Sequence, residues 1–415
     1  MVVVVLVFMG LAVHGQTPGA LDPTFNTGST IFGYVNVVVP TGDGKMYVGG
    51  SFTTVRGALR NFIARLNSDG TVDETFNPGI GPNYDVYSIA VQGDGKVLIG
   101  GNFSYVNGIE HSGIARLNND GSPDTSFNSS TGATYAVYSI ALQPDGKVLI
   151  GGDFFSYNGT DRNRIARLNS NGSLDVSFNP GTGADALVQT VALQADGKVL
   201  IGGGFTTFNG TARSYLARLN SNGSLDTAFN PGSGLNNGVG KIVVQGDGKA
   251  LICGGFTSYN GSARRGIVRI NGDGSLDTSF TPGTGANSYV YSLALQPDGK
   301  VLMAGAFTSI NGTGRKGVAR INSNGSLDTT FNPGTGADSY VYCIAWQADG
   351  KVLIGGIFSD YNGSGRARLA RLNSDGGLDP SLSPGTGVND SISGIAVQTD
   401  GKVLKIGRAS CRERV

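Results

Sequence analysis

The sequence predicts an all-β fold made from one unit of 51 residues repeated in tandem. Three observations carry that prediction. The glycine of Asp-Gly-Lys recurs at Gly44, Gly95, Gly146, Gly197, Gly248, Gly299, Gly350 and Gly401, each 51 residues after the last. Phe25, Phe76, Phe127, Phe178, Phe229, Phe280 and Phe331 keep the same interval, as do Arg65, Arg116, Arg167, Arg218, Arg269, Arg320 and Arg371. Second, glycine is high, 68 of 415 residues, yet 39% of residues are hydrophobic. They sit in short runs between turn residues, which reads as strands and tight turns, not as disorder. Third, the runs Val-Leu-Ile-Gly-Gly and Ile-Ala-Leu-Gln are apolar or small on both faces, as in strands covered on both sides. Such a unit needs its neighbours to bury its faces, so the repeat outweighs the two or three domains that length alone would predict.

Each element of the unit follows from Tyr291 to Asn332 and its flanks. Val290 to Gln296 is a first strand. Pro297-Asp298-Gly299 is a turn, with glycine free to take positive φ. Lys300 to Phe307 is a second strand, whose paired small residues suit a place where backbones approach closely. Asn311-Gly312 marks a loop, Gly317 to Asn322 a third strand and Ser323-Asn324-Gly325 another turn. Leu327 to Phe331 is a short fourth strand. Four antiparallel strands in 40–50 residues are the signature of a β-propeller blade. A parallel β-helix is the runner-up, but its coils are shorter and do not need three hairpin turns. Leu21 to Asn26 is a lone fourth-type strand, and Asp400 to Leu404 lies in an eighth unit. The count favours seven blades and leaves eight open.

The motifs Leu-Asp-x-x-Phe-Asn-Pro-Gly-Thr-Gly, Gln-Pro-Asp-Gly-Lys-Val-Leu-Ile-Gly-Gly-x-Phe and Ile-Ala-Arg-Leu-Asn resemble the delta-60 repeat family. The resemblance covers about Leu21 to Leu404. It implies a propeller in a bacterial exported protein, and it implies no chemistry, because the family carries no agreed catalytic motif.

Val2 to Val13 is almost wholly apolar and precedes small residues around Gly15, which predicts a signal peptide over 1–15 and a secreted or cell-surface product. The stretch is short of the about 20 residues of a membrane span, and no span is expected in the mature chain. Residues 406–415 depart from the repeat and resemble the translated read-through of a sequencing adapter. The net charge is +1. Without Arg408, Arg412, Arg414 and Glu413 it becomes −1, which speaks against a nucleic-acid binder. Cys253 and Cys343 stand at different repeat positions within strands, which reads as two buried thiols and not as a disulfide framework.

Antiparallel order puts the first–second and third–fourth turns on one rim. The second–third and fourth–first loops share the other, and it varies more between copies, as binding loops on a rigid scaffold do. Its basic residues are Arg162, Arg164, Arg213, Arg264, Arg265, Arg315, Lys316, Arg366 and Arg368. Its aromatics are Tyr84, Tyr135, Tyr289 and Tyr340, with Asp85, Asp185 and Asp338 nearby. Arginine beside tyrosine fits an acidic glycan or a partner's carboxylates. The competing reading is arginines that are solvated or paired with those aspartates.

Arg65 to Asp73 has the outline of a calcium loop, but arginine opens every copy where a carboxylate belongs. That cation repels a metal and is expected to neutralise Asp73 and its equivalents, so no metal or cofactor is expected. Asn158, Asn209, Asn260, Asn311 and Asn362 match glycosylation acceptors, but Asn-Gly is better read as turn chemistry. His14 and His111 are the two histidines, and no triad or phosphate loop appears. Trp346 stands where Leu295 stands one unit earlier and reads as core. The function expected is an exported, non-catalytic scaffold for binding or adhesion to a protein or glycan. A glycan-active enzyme with a site at the channel mouth is the alternative.

Overall fold

A computed structural model describes residues 31–380, except 42, 44, 56, 57, 68–70, 348 and 367, together with 392–397 and 403–407. The predicted signal peptide, the lone strand at Leu21 and residues 408–415 lie outside the described residues. Every regular element is a strand, and no helix is long and apolar enough to cross a membrane among them.

Blade 3 shows the plan. An inner strand, Val137–Leu142, pairs antiparallel with a middle strand, Val148–Gly152, and that pairs with an outer strand, Ile165–Leu168. Blades 1, 2 and 4–7 repeat this order, with inner strands Ile31–Pro40, Val86–Val91, Val188–Leu193, Val239–Val244, Val290–Leu295 and Val341–Trp346. An eighth sheet holds two strands, Ile392–Val397 and Val403–Gly407, so pairing runs through Ile406 and Gly407 at the start of the atypical tail. Each inner strand lies beside the inner strand of the next blade, and Ile392–Val397 lies beside both the seventh and the first. Among the described residues, seven three-stranded blades and one two-stranded sheet therefore close a ring. The β-helix alternative is set aside, since neighbouring strands within each sheet are antiparallel hairpins.

The expected four-stranded blade is corrected to three strands. The fourth segment keeps one bridge per blade, such as Leu168 to Leu174. Its aspartate explains why. Asp175 Oδ1 accepts from the Ser177 N–H at 3.0 Å and lies 2.6 Å from its hydroxyl, and the Phe178 N–H donates to the Asp175 carbonyl. This Asx turn takes the chain out of the ladder after one residue pair and buries Phe178 among residues of blades 3 and 4.

The Asn-Gly loops are also more ordered than expected. Ser156–Tyr157 and Thr160–Asp161 form a two-residue hairpin, with Asn158 at φ 48° and Gly159 at φ 72°. Two central residues with positive φ make the turn that matches strand twist. The second glycine of the middle-strand pair is required in blades 2–7, and the first marks a close approach that also admits a small side chain. A Cβ on Gly151 would lie 2.6 Å from Val191 of the next blade, and one on Gly152 2.1 Å from the Ala136 carbonyl oxygen. Cys253 and Ala304 occupy the first of these positions in blades 5 and 6 and are fully buried. Among the described residues, Cys253 and Cys343 are both buried. The core consists of layers between blades, each drawing residues from two neighbours.

Candidate functional site

The rim carrying the Asp-Gly-Lys turns is occupied by a repeated clasp. In blade 3, Asp175 Oδ2 accepts from Lys147 Nζ at 2.8 Å and Arg167 Nε at 2.7 Å. Arg167 lies over the Phe178 ring at 4.9 Å and donates through Nη1 to the Ser221 carbonyl of blade 4 at 2.5 Å. The Asn179 N–H donates to the Asn222 carbonyl of the same neighbouring turn. Equivalent links run from Arg65 to Asn119, Arg116 to Ser170, Arg218 to Gly272, Arg269 to Ser323 and Arg320 to Ser374. Burial raises the Asp175 carboxyl, but hydrogen bonds from Lys147, Ser177 and Arg167 outweigh it and hold it well below the carboxylate range. The arginine that displaces the first calcium ligand thus neutralises the aspartate, as the sequence predicts: Arg65 Nε lies 2.6 Å from Asp73 Oδ2. Among the described residues no three His, Cys, Asp or Glu side chains are grouped to hold a metal ion.

On the opposite rim the predicted basic and aromatic residues separate. Arg162, Arg213, Arg264 and Arg315 share one repeat position with Arg60 and His111. Each of these four donates through Nη1 to the carbonyl of the preceding residue, at 2.7–2.9 Å. Arg366, at the same position, donates to Ser364. Arg162 and Arg315 are buried, and the other three are half-buried. Each of these guanidinium groups gives its Nη1 donor to backbone beside the outer strand. Arg164 and Arg368 occupy a left-handed position, at φ 66° and 67°. Arg164 stacks on Phe155 at 4.1 Å, and Arg368 donates to the Phe358 carbonyl. Arg265 and Lys316 are exposed. Asp185 and Asp338 do not pair with arginine; they accept from the Thr206 and Ser359 backbone and hydroxyls.

The aromatic residues converge, and they bring partners that the sequence reading did not select. The inner strands of the seven blades each carry a β-bulge at one repeat position, held by Asn36, Tyr87, Tyr138, Gln189, Gly240, Tyr291 and Tyr342. A bulge re-aims its side chain out of the alternating pattern. Tyr291 lies 5.3 Å from Tyr342, 5.7 Å from Tyr289 and 6.5 Å from Tyr340, centroid to centroid. Tyr289 and Tyr340 are 40% and 45% exposed. On blades 2 and 3, Tyr87 and Tyr138 lie 5.4 Å apart, and the Tyr87 hydroxyl faces Asp85 at 3.3 Å. Tyr135 packs on Phe155, and Tyr84 stacks on Phe62. Burial raises the hydroxyls of Tyr87, Tyr138, Tyr291 and Tyr342, so they stay neutral donors. The signal that marks this position is variation. In otherwise regular strands it alternates between tyrosine and Asn, Gln or Gly.

His111 breaks the arginine pattern and is buried, with Nδ1 2.7 Å from the Ser129 hydroxyl. Lys241 stands where neighbouring blades have Ser88, Ser139, Thr190, Ser292 and Cys343. Its ammonium reaches one carbonyl, that of Leu293, at 3.5 Å, and burial lowers its pKa. Trp346 is partly buried against the blade 7 core.

Comparison with curated proteins gave no match. Among solved structures, the C-terminal WD40 domain of Sif2 is 12% identical, with 90% of this chain and 92% of that chain covered at a TM-score of 0.50. The extracellular domain of a putative hybrid two component system, BT4673, from B. thetaiotaomicron is also 12% identical at 0.50. It covers 87% of this chain but 42% of that one, so this chain spans less than half its length. PorZ, a bacterial surface component of the type-IX secretion system of Porphyromonas gingivalis, is 16% identical, with 90% and 52% covered at 0.45. At these identities the two likenesses at a TM-score of 0.50 show the propeller fold alone. A sequence profile described as a β-propeller domain of unknown function, DUF5122, matches seven successive segments: 41–76, 92–127, 143–178, 194–229, 245–280, 296–331 and 347–382. Those segments make up more than half of the sequence and carry the same 51-residue step, so the chain belongs to the DUF5122 β-propeller family.

Proposed function

We propose that this chain is an exported, non-catalytic propeller scaffold of delta-60 repeat type that binds a glycan or protein partner through its tyrosine-bearing rim. The observation that carries the reading is the four-tyrosine cluster, Tyr289, Tyr291, Tyr340 and Tyr342, built across blades 6 and 7. Aromatic faces with neutral hydroxyl donors offer apolar area and hydrogen bonds at low conformational cost, as binding surfaces do. The aromatic contact surface, not the arginine charge, is the primary attraction. The apolar N-terminus and the bacterial surface likenesses support export. The test is retention of the purified chain on an array of glycans and bacterial surface polymers. Tyr291→Ala/Tyr342→Ala should lower retention at least tenfold, and unchanged retention would remove the rim as the site.

A further inference from the structure

In an array this regular, chemistry specific to one place has to come from broken repetition. Two breaks coincide on the clasp rim between blades 1 and 2. Thr41 stands where the other units carry Gln92, Gln143, Gln194, Gln245, Gln296, Gln347 and Gln398, the first six with a buried Oε1. Tyr47 stands where they carry Leu98, Leu149, Leu200, Leu251, Leu302, Leu353 and Leu404. The shorter Thr41 side chain coincides with a cavity of about 520 Å³, bordered by Tyr47, Asp43, Lys45, Arg65, Val91 and Asp120, among others. That volume lies within the roughly 300–1,000 Å³ of ligand pockets.

The wall sets the ligand class. The Arg65 guanidinium is largely committed, to Asp73, Tyr47, Asn119 and Thr75. Lys45 spends one contact on Asp73, at 2.9 Å, and its ammonium keeps further protons to donate. The Tyr47 hydroxyl accepts from Arg65 at 3.0 Å, which leaves its proton to donate. Burial raises this hydroxyl, so the proton is retained. Asp43 and Asp120 each engage Oδ1 in local turns and present a second carboxylate oxygen as acceptor. Two cationic and two anionic residues border one cavity. An anion would meet Asp43 and Asp120, and a cation would meet Lys45 and Arg65. A neutral molecule that donates and accepts in many directions suits both pairs.

We propose that this cavity is a binding site for one neutral sugar ring, free or at the end of a glycan. It lies on the rim opposite the tyrosine cluster and does not depend on that reading. The repeat supplies its own control. Thr41→Gln/Tyr47→Leu installs the residues found in the seven other units, so it reshapes the wall and removes the Tyr47 hydroxyl with side chains the scaffold already accepts. The test is saturation-transfer NMR on the full chain with methyl glycosides of glucose, galactose, mannose and N-acetylglucosamine, and with the corresponding disaccharides. Transfer to at least one monosaccharide is expected, and confinement to one ring of its disaccharide would mark a terminal residue as the source. Thr41→Gln/Tyr47→Leu should abolish transfer and leave the urea midpoint unchanged. Tyr47→Phe, which removes a hydroxyl and no volume, should weaken binding about fivefold, the worth of one hydrogen bond. Tyr291→Ala/Tyr342→Ala should leave transfer intact. Absence of transfer at millimolar sugar, persistence in Thr41→Gln/Tyr47→Leu, or loss in the Tyr291→Ala/Tyr342→Ala variant would overturn the proposal.

Discussion

Asp175→Asn tests the inter-blade clasp most sharply. The wild-type carboxylate is buried and holds two cations on one oxygen, Lys147 at 2.8 Å and Arg167 at 2.7 Å. The amide keeps the turn with Ser177 but removes the counter-charge from Arg167, whose side chain is only 9% exposed. Leaving a buried charge without its partner costs about 3–5 kcal/mol. Arg167→Met is milder, because Lys147 still pairs with Asp175. It loses the charged hydrogen bond to Ser221 and the cation–π contact with Phe178, together about 2–3 kcal/mol. Lys147, with its side chain 30% exposed, should cost at most about 1 kcal/mol as Met. Urea unfolding followed by circular dichroism reads all three, provided the slopes agree. The predicted order is Asp175→Asn, then Arg167→Met, then Lys147→Met. Three values within about 0.5 kcal/mol of one another would refute the clasp as a stabilising unit, since that is the range of ordinary surface changes.

Other perturbations follow from the same contacts. Asp73, Asp124, Asp175, Asp226, Asp277 and Asp328 all have carboxyls held below their ordinary value of 3.8, with burial opposing and hydrogen bonds from Lys, Arg and Ser or Thr (for Asp226 the Ala228 N–H) prevailing. A folded value below the unfolded one gives stability that is present above the unfolded pKa and lost as pH falls toward the folded one. The urea midpoint should therefore be flat above about pH 5 and drop steeply below about pH 4; a midpoint unchanged at pH 3 would contradict the assignment. Asn158 combines positive φ with an Oδ1 that accepts from the Gly132 N–H at 2.8 Å. Asn158→Ala should cost about 1–2 kcal/mol in the same assay, and Asn158→Gly less, because glycine keeps the φ. Lys241→Ser restores the hydroxyl residue of blades 2, 3 and 6 and removes a desolvated ammonium; it should raise the unfolding free energy by about 1–3 kcal/mol and so raise the midpoint, and a lower midpoint would show that the ammonium stabilises the ring.

Most of the fold was legible because exact repetition exposes it. The 51-residue step, the apolar runs and the Asp-Gly and Asn-Gly turns set the three ladder strands, and Gly151 and Gly152 marked the close approaches. The fourth strand was misread because Leu-Asp-x-x-Phe looks extended, whereas Asp175 folds back on Ser177. The rim was only half legible. Arg162, Arg213, Arg264, Arg315 and Arg366 looked like variable loop charge, but they share one repeat position and hydrogen-bond to backbone. Tyr87, Tyr138, Tyr291 and Tyr342 looked like ordinary strand residues, because the bulge that turns them out leaves no mark in a period-two pattern. Their differences from copy to copy were the available sign. Thr41 and Tyr47 carried the same sign on the other rim.

The central claim of the proposed function is that the tyrosine-bearing rim recognises its ligand through tyrosines and not through arginine charge. One array experiment separates the two, with the wild-type chain beside Tyr291→Ala/Tyr342→Ala and Arg264→Ser/Arg265→Ser. The account predicts that retention falls at least tenfold in the tyrosine variant and stays within twofold of wild type in the arginine variant. Loss of retention in the arginine variant with the tyrosine variant unaffected would contradict it.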